Sequence, residues 1–321
     1  MNKLLTNRLV YTKSNYLKSG ENIMNELYKK CKLCPRRCGI NRYETRGYCG
    51  MGASLKAAKA SLHLWEEPCI SYRNGAGTIF FSGCNLHCVY CQNNNISSEL
   101  FGTEISKEQL IRIYLNLQEK GADNIELVTP THFIPDIIES LDLIKHKLNI
   151  PVVYNSGGYE LVESIKMLNG YIDIYLPDIK YYSPEISKRY SDSYDYFHYA
   201  SEAVKEMIKQ TGELKYNQDG GLLKGTVIRH LVLPNCRHDS MKILEWISEN
   251  TSSEQVIVSI MSQYTPFDFI PEKFSELKRK VTKMEYNSVV RYAEKLDICG
   301  FIQEKSSSDE KYVPDFDLSG I

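Results

Sequence analysis

From Gly77 onward, short apolar runs alternate with amphipathic stretches, and this alternation constrains the fold more than any other feature of the chain. Thr78–Phe81, Ile125–Val128, Val152–Tyr154, Ile172–Leu176, Thr226–Leu233 and Val256–Met261 read as six strands. Each is rich in Val, Ile and aromatic residues, as strands buried on both faces are. Between them lie helical patterns. Ser106 opens one with the capping box Ser-Lys-Glu-Gln, Gln109 taking the reciprocal position. Leu110, Ile113, Tyr114 and Leu117 follow at helical spacing, and Gly121 ends it. Pro135–Leu148, Glu160–Leu168, Ala200–Lys209, Ser240–Glu249 and Ser288–Leu296 have similar patterns. Strand–helix alternation predicts parallel strands joined by right-handed crossovers. Six units fall short of the eight of a closed barrel, so the expected α/β fold is an open (β/α)6 partial TIM barrel. A doubly wound sheet is the alternative.

The chain has 321 residues, room for one large α/β domain of about 250 residues and a small module. No apolar run approaches the roughly 18 residues of a membrane span, and the first residues lack the apolar core of a secretory signal. No membrane association is expected. The net charge of −1 hides an asymmetry: residues 1–60 hold 13 Lys and Arg against 3 Asp and Glu. A basic end of this kind meets nucleic acid or an acidic partner, or is simply a solvated surface. Seven of the ten cysteines fall in two tight groups. In a long chain without an export signal this favours metal ligation over disulfides, and a reducing cytoplasm as the compartment.

One group follows the first strand of the alternating region: Gly83-Cys84-Asn85-Leu86-His87-Cys88-Val89-Tyr90-Cys91. Three thiolates on one loop can bind three irons of a cubane and leave the fourth iron open. Electron-transfer [4Fe–4S] clusters and closed zinc sites each take four protein ligands. The bland alternative is a zinc site completed by His87 or a distant Cys.

Cys84, Cys88 and Cys91, with Tyr90 just before the last, resemble the signature loop of the radical S-adenosylmethionine (SAM) superfamily. The resemblance spans roughly residues 75–303 and is closest to pyruvate formate-lyase activating enzymes, within them to a longer activating-enzyme-like branch. It implies a [4Fe–4S] cluster on the three cysteines, with the open iron chelating the amino and carboxylate groups of SAM. It implies one-electron cleavage of the sulfonium and hydrogen abstraction by a 5′-deoxyadenosyl radical. An electron donor such as flavodoxin or ferredoxin, and a glycyl-radical protein as substrate, are the implied partners.

The resemblance carries further residues at the strand ends. Val128-Thr129-Pro130-Thr131-His132 stands where the family has a Gly-Gly-Glu-Pro-like run that grips the SAM amino group. The glutamate is absent here, which leaves backbone, Thr129 and Thr131 as contacts. His132 reads as a catalytic candidate or a helix cap. Asn155-Ser156-Gly157-Gly158 resembles the family's Asn-Gly turn, and Asp178-Ile179-Lys180 its Asp-Leu-Lys. There the Lys pairs with the SAM carboxylate and the Asp helps bind a monovalent cation; the plain alternative is a surface pair. Arg229 matches an Arg that reaches the substrate or pairs with a carboxylate. Ser262-Gln263-Tyr264 lies near a ribose-contacting position but lacks the usual His.

The second cysteine group, Cys31, Cys34, Cys38 and Cys49, has spacing C-x2-C-x3-C-x10-C. Four thiolates close a site that suits zinc or a second Fe–S cluster, and the branch resembled carries a similar group. The alternative is four free cysteines in a basic arm. Cys69, Cys236 and Cys299 are isolated and read as buried packing. Six tyrosines within Tyr181–Tyr199 either stack on substrate or pack on the barrel as a helix. The expected organisation is a basic, Cys-rich metal-binding module over 1–60, a radical SAM core over 61–303, and a polar tail of low order over 304–321. Three functions remain open: activation of a glycyl-radical protein, radical modification of a small molecule, peptide or RNA, and a non-catalytic metal-binding module.

Overall fold

The computed structural model describes residues 24–302 and 315–321. Its frame is one sheet with strands β1 (Lys56–His63), β2 (Ala76–Phe81), β3 (Thr103–Glu104), β4 (Ile125–Val128), β5 (Val152–Ser156), β6 (Ile174–Pro177), β7 (Lys215–Tyr216), β8 (Leu222–Leu231), β9 (Val256–Met261) and β10 (Gly300–Ile302). The helices lying wholly within the described residues are, in chain order, α1 (Asn94–Ser97), α2 (Lys107–Glu119), α3 (Ile134–Ile144), α4 (Val162–Met167), α5 (Pro184–Ser191), α6 (Tyr196–Thr211), α7 (Arg237–Asn250) and α8 (Lys283–Lys295).

The six expected strands run parallel in the order β2-β4-β5-β6-β8-β9. Chain order and spatial order agree, whereas a doubly wound sheet reverses at a switch point. The fold is therefore a (β/α)6 partial barrel. It stays open: β10 adds to β9 in parallel, and β1 adds to β2 antiparallel at the other end.

β4 and β9 have the expected bounds. β8 begins four residues earlier than expected, at Leu222, because Lys215–Tyr216 pair with it as β7. β1 crosses residue 60, so Cys-rich module and barrel share a strand. The described part of the tail is bonded: Ala60 donates to Ser319 O at 2.9 Å, and Leu318 donates to Ala58 O at 3.1 Å.

The helices pack against the outer face of the sheet. Ser106 and Gln109 form the capping box expected for α2, and Leu110, Ile113, Tyr114 and Leu117 are its buried face. Thr282 and Glu285 repeat the device on α8. Inside the barrel, the β1–β2 connection forms a floor. Cys69 and Ile70 pack there with Val153, Ile174, Leu176 and Val227. Asp123 Oδ2 holds this connection by accepting the backbone N–H of Arg73, Asn74 and Gly75 at 2.9–3.1 Å. With this connection packed below, a cavity lies at the C-terminal strand ends.

Gly158, with φ +80°, lets β5 leave the sheet beside β6. A Cβ there would collide with the Asp178 carbonyl. Gly158→Ala should therefore lower stability by about 2–5 kcal/mol, from left-handed backbone strain and overpacking together, read as a lower urea midpoint at unchanged slope.

Candidate active site at the strand ends

The C-terminal strand ends surround a cavity of about 1300 Å³, counting the solvent space at its mouth. Cys84, Cys88 and Cys91 line it together with Tyr90, Thr129, Asn155, Asp178, Lys180 and Arg229. Of the expected site residues near the barrel mouth, Thr131 stands outside. It is buried and donates to Glu160 Oε1 at 2.6 Å. His132 is likewise turned inward: its Nε2 meets Ser82 O at 2.8 Å, so it neither caps a helix with its side chain nor faces the cavity.

The cysteine loop follows β2. Gly83, with φ +84°, turns the chain against Met51 and the Cys49 carbonyl, and His87 adopts φ +53°. Burial pushes the Cys84 thiol up to about 12, and the neighbouring Cys88 and Cys91 add to this. Burial and Cys88 also raise Cys91. Three neighbouring sulfurs, one buried and two half-buried, repel one another as thiolates unless cationic iron joins them. Among the described residues, no three His, Cys, Asp or Glu side chains are close enough to hold one metal ion. A cubane makes no such demand, since each thiolate meets its own iron.

Opposite the loop lies a charged floor. Arg229, on β8, donates from Nε to Asp178 Oδ1 at 2.9 Å, from NH1 to Glu66 Oε1 at 2.9 Å, and from NH2 to Asn155 Oδ1 at 2.6 Å. Lys180 Nζ donates to Asp178 Oδ2 at 2.5 Å. Burial opposes the Asp178 charge, but Arg229 and Lys180 outweigh it and hold its carboxyl below the ordinary value. Both Asp178 oxygens already meet a protein cation in this arrangement. The surface-pair alternative fails for Asp178 and Lys180, whose side chains are 13% and 18% exposed. Asn155 also donates to Glu126 Oε1 at 2.6 Å. Burial and the adjacent Glu66 push the Glu126 carboxyl well above its usual range. Gly157 lies so close to Leu86 that a Cβ would stand 2.8 Å from its Cδ1.

Glu66, Glu126, Ser97 and Phe267 belong to this site and its surroundings, and the sequence reading passed over them. Glu66 comes from the barrel floor in an irregular segment, Trp65-Glu66-Glu67-Pro68. Paired acids beside a strand end were its one local signal. The tyrosines of Tyr181–Tyr199 divide. Tyr181, Tyr190 and Tyr196 are buried in a ring cluster with Tyr90 and Tyr264, whereas Tyr182 and Tyr194 are exposed. Packing on the barrel, through α5 and α6, accounts for the buried ones. Cys69 and Cys236 are buried as expected, but Cys299 is exposed, since it precedes the short edge strand β10.

The second cysteine group sits directly on the first. Cys31 and Cys49 are buried, and Cys34 and Cys38 half-buried. Cys84 donates its N–H to Cys49 O at 3.3 Å. His87 Nε2 meets Tyr48 O at 3.0 Å. The basic side chains of the module partly serve this joint: Arg36 donates to Asn85 O at 2.8 Å, and Arg42, 2% exposed, bonds the His132 and Gly52 carbonyls. No helix among the described residues is long and apolar enough to cross a membrane.

Residues 78–247 match the family described as the radical SAM superfamily, and this chain belongs to it. The family's chemistry uses a [4Fe–4S] cluster and SAM. An uncharacterized protein of Methanocaldococcus jannaschii is 31% identical over 304 residues, aligning 91% of this chain and 82% of its own. Solved structures with a similar arrangement include a radical SAM methyltransferase from Sphaerobacter thermophilus, with TM-score 0.48 and 10% identity over 71% of this chain and 66% of that one. The FeFe-hydrogenase maturase of Carboxydothermus hydrogenoformans gives 0.49 and 14% over 74% and 56%. A domain of a pyruvate-formate lyase-activating enzyme from Bacteroides vulgatus gives 0.41 and 8% over 57% and 100%. This chain thus spans about half to two thirds of the methyltransferase and the maturase.

Glu160 allows a pH test of the buried polar layer. Burial pushes its carboxyl from 4.5 up to about 8. The folded state therefore keeps a proton that the unfolded chain releases. The stability this contributes is full below pH 4.5 and is lost as pH rises through about 8. Between those values the parent should lose up to roughly 1.4 kcal/mol per pH unit relative to Glu160→Gln, measured by urea unfolding across the range.

Proposed function

We propose that this chain cleaves SAM reductively and uses the resulting radical to take a hydrogen atom from a backbone glycine of a protein partner, activating a glycyl-radical enzyme. The observation that carries the reading is the open cavity at the C-terminal strand ends. Its wall holds the three loop cysteines on one side and the Asp178–Lys180–Arg229 group on the other. A mouth left open by the missing strand pair suits a loop offered by another protein.

Cys84, Cys88 and Cys91 hold the cluster, and their donor set fits it: one buried and two half-buried sulfurs, each with a hydrogen-bond donor at 3.0–3.4 Å. When bound, the cluster and SAM together supply a one-electron cleavage that gives methionine and a 5′-deoxyadenosyl radical. Lys180 pairs with the SAM carboxylate while Asp178 keeps its ammonium charged and aimed. Burial opposes the Lys180 charge, yet Asp178 holds its pKa above the ordinary value. Asn155, Thr129 and the Gly157 backbone offer polar contacts from β5 and β4. Tyr90 packs edge-on against Tyr264, ring centroids 5.9 Å apart, and helps keep water from the loop. Arg229 is held by Asp178, Glu66 and Asn155 and steadies the floor beneath the ligand. The electron comes from a low-potential carrier such as flavodoxin or ferredoxin.

Cys31, Cys34, Cys38 and Cys49 are proposed to hold a second Fe–S cluster; the zinc alternative needs its ligands around one ion, and among the described residues no three stand close enough for that. The module's own buried apolar set is small, centred on Tyr28, Cys31 and Leu33, and metal binding supplies folding free energy where a core cannot.

Anaerobically reconstituted protein with a chemical reductant should release 5′-deoxyadenosine from SAM, and Cys88→Ala should release none. Equal rates from the two would place the chemistry elsewhere. With a glycyl-radical protein from the same cell, the partner should acquire a glycyl radical visible by electron paramagnetic resonance. 5′-Deoxyadenosine formed with no partner radical, under the same conditions, would favour a small molecule, peptide or RNA as substrate.

Lys180→Ala should weaken SAM binding at least tenfold while the cluster's spectrum stays the same. Removing one partner of a desolvated charged pair costs about 2–5 kcal/mol, and each tenfold step is about 1.4 kcal/mol. A titration of the anaerobic protein with SAM reads it. A dissociation constant within about twofold of the parent, well under that step, would place Lys180 outside the SAM site.

A further inference from the structure

The three loop sulfurs are not treated alike. Cys84 Sγ accepts from Leu86 N at 3.4 Å, and Cys91 Sγ from Ser97 Oγ at 3.4 Å, both close by in sequence. Cys88 Sγ accepts from Ser191 Oγ at 3.0 Å, across 103 residues. Cys88 and Ser191 are 8% and 2% exposed, so no bulk water competes for this contact.

Ser191 ends α5 and is held from two directions. Its carbonyl accepts from Arg36 NH2 at 2.9 Å, while Arg36 NH1 bonds Asp192 O at 2.5 Å and Nε bonds Asn85 O at 2.8 Å. The guanidinium lies over the Tyr48 ring, 3.8 Å from its centroid. The neighbouring Tyr190 carbonyl accepts from Val89 N at 2.9 Å, which fastens the end of α5 to the cysteine loop. On the other side, Ser191 Oγ meets Tyr181 OH at 2.7 Å, and Tyr181 OH meets Tyr90 OH at 2.7 Å.

Donor inventory fixes the direction of this chain. An iron-bound thiolate carries no hydrogen and only accepts. Ser191 has one hydroxyl hydrogen, and it goes to Cys88. Tyr181 must then donate to Ser191, and Tyr90 to Tyr181. Hydroxyls ordered this way polarise one another, so the last donor is stronger than an isolated serine.

We propose that Ser191 is a positioning residue that sets the reduction potential of the cluster through Cys88, with Tyr181 and Tyr90 strengthening its hydroxyl. The proposal rests on the reading of Cys88 as an iron ligand. A hydrogen bond to a ligating sulfur withdraws electron density and favours the electron-rich, reduced cluster, so it raises the potential. The chain of hydroxyls thus keeps the cluster within reach of its electron donor.

The test is a potentiometric titration of the reconstituted protein, followed by electron paramagnetic resonance of the reduced cluster, with iron content measured alongside. Ser191→Ala should shift the midpoint to lower potential at parent iron content. Ser191→Thr, which keeps the hydroxyl, should restore it. Tyr181→Phe should give a smaller shift in the same direction, and adding it to Ser191→Ala should change nothing further. A role confined to packing moves iron content or thermal stability but leaves the midpoint alone. A parent midpoint in Ser191→Ala, or a Tyr181→Phe shift of equal size with and without the Ser191 hydroxyl, overturns the proposal. Should Ser191→Ala lose its iron, Tyr181→Phe decides alone, a parent midpoint counting against the proposal. A parent protein that binds no reducible cluster would instead refute the Cys88 reading itself.

Discussion

A guanidinium that cannot give up its charge sits at the heart of the barrel, and the structure around it is arranged to make that charge tolerable. Arg229 spends its donors on Asp178, Glu66 and Asn155, three groups carried by β6, the floor connection and β5. A buried charge left unpaired is far more expensive than any one contact it makes. The floor connection must therefore deliver Glu66 into the lumen, and β5 and β6 must end at matching heights. Asp178, satisfied on one side by Arg229, is left to hold Lys180 on the other. The mutual arrangement of strand ends and the aim of Lys180 are two results of one requirement.

Much of the frame was legible in the sequence, and the gaps have identifiable causes. β4 and β9 are apolar but for Glu126 and Ser259 and have polar residues at both ends, so local pattern and tertiary role agree. β1 reads Lys-Ala-Ala-Lys-Ala-Ser-Leu-His, a composition that favours helix. It becomes a strand because β2 and the 318–319 segment offer it backbone partners. β3, β7 and β10 are two or three residues long and carry no period at all. Within the site, Asp178, Lys180 and Arg229 could be read because each sits at the end of a recognisable strand. Glu66 could not, because an irregular loop brings it there. Thr131 shared its strand end with Thr129, and only the 3₁₀ turn at Thr131–Phe133 carries one inward to Glu160 and leaves the other at the cavity.

The two cysteine groups are far apart in sequence yet form one body. Backbone bonds from Cys84 to Cys49, and contacts of His87 with Tyr48 and of Arg36 with Asn85, place the N-terminal module against the loop that bears the site. Two of the module's basic side chains are employed here. Arg36 and Arg42 face inward onto carbonyls and aromatic rings, so the basic balance read from composition overstates the free basic surface of the described residues.

The strip formed by residues 315–321 has a consequence for how this protein behaves among copies of itself. β3 covers only Lys56 and Ala57 of β1, which leaves the outer backbone of the rest of that strand without a partner in the sheet. Such an open edge is a template on which a second chain can add, the first step toward fibrous association. Leu318 and Ser319 occupy two of those backbone positions, and Lys59 reaches the Asp315 carbonyl and the Asp317 carboxylate beside them. The last residues of the described chain therefore act as a guard on solubility, covering part of the open edge of β1.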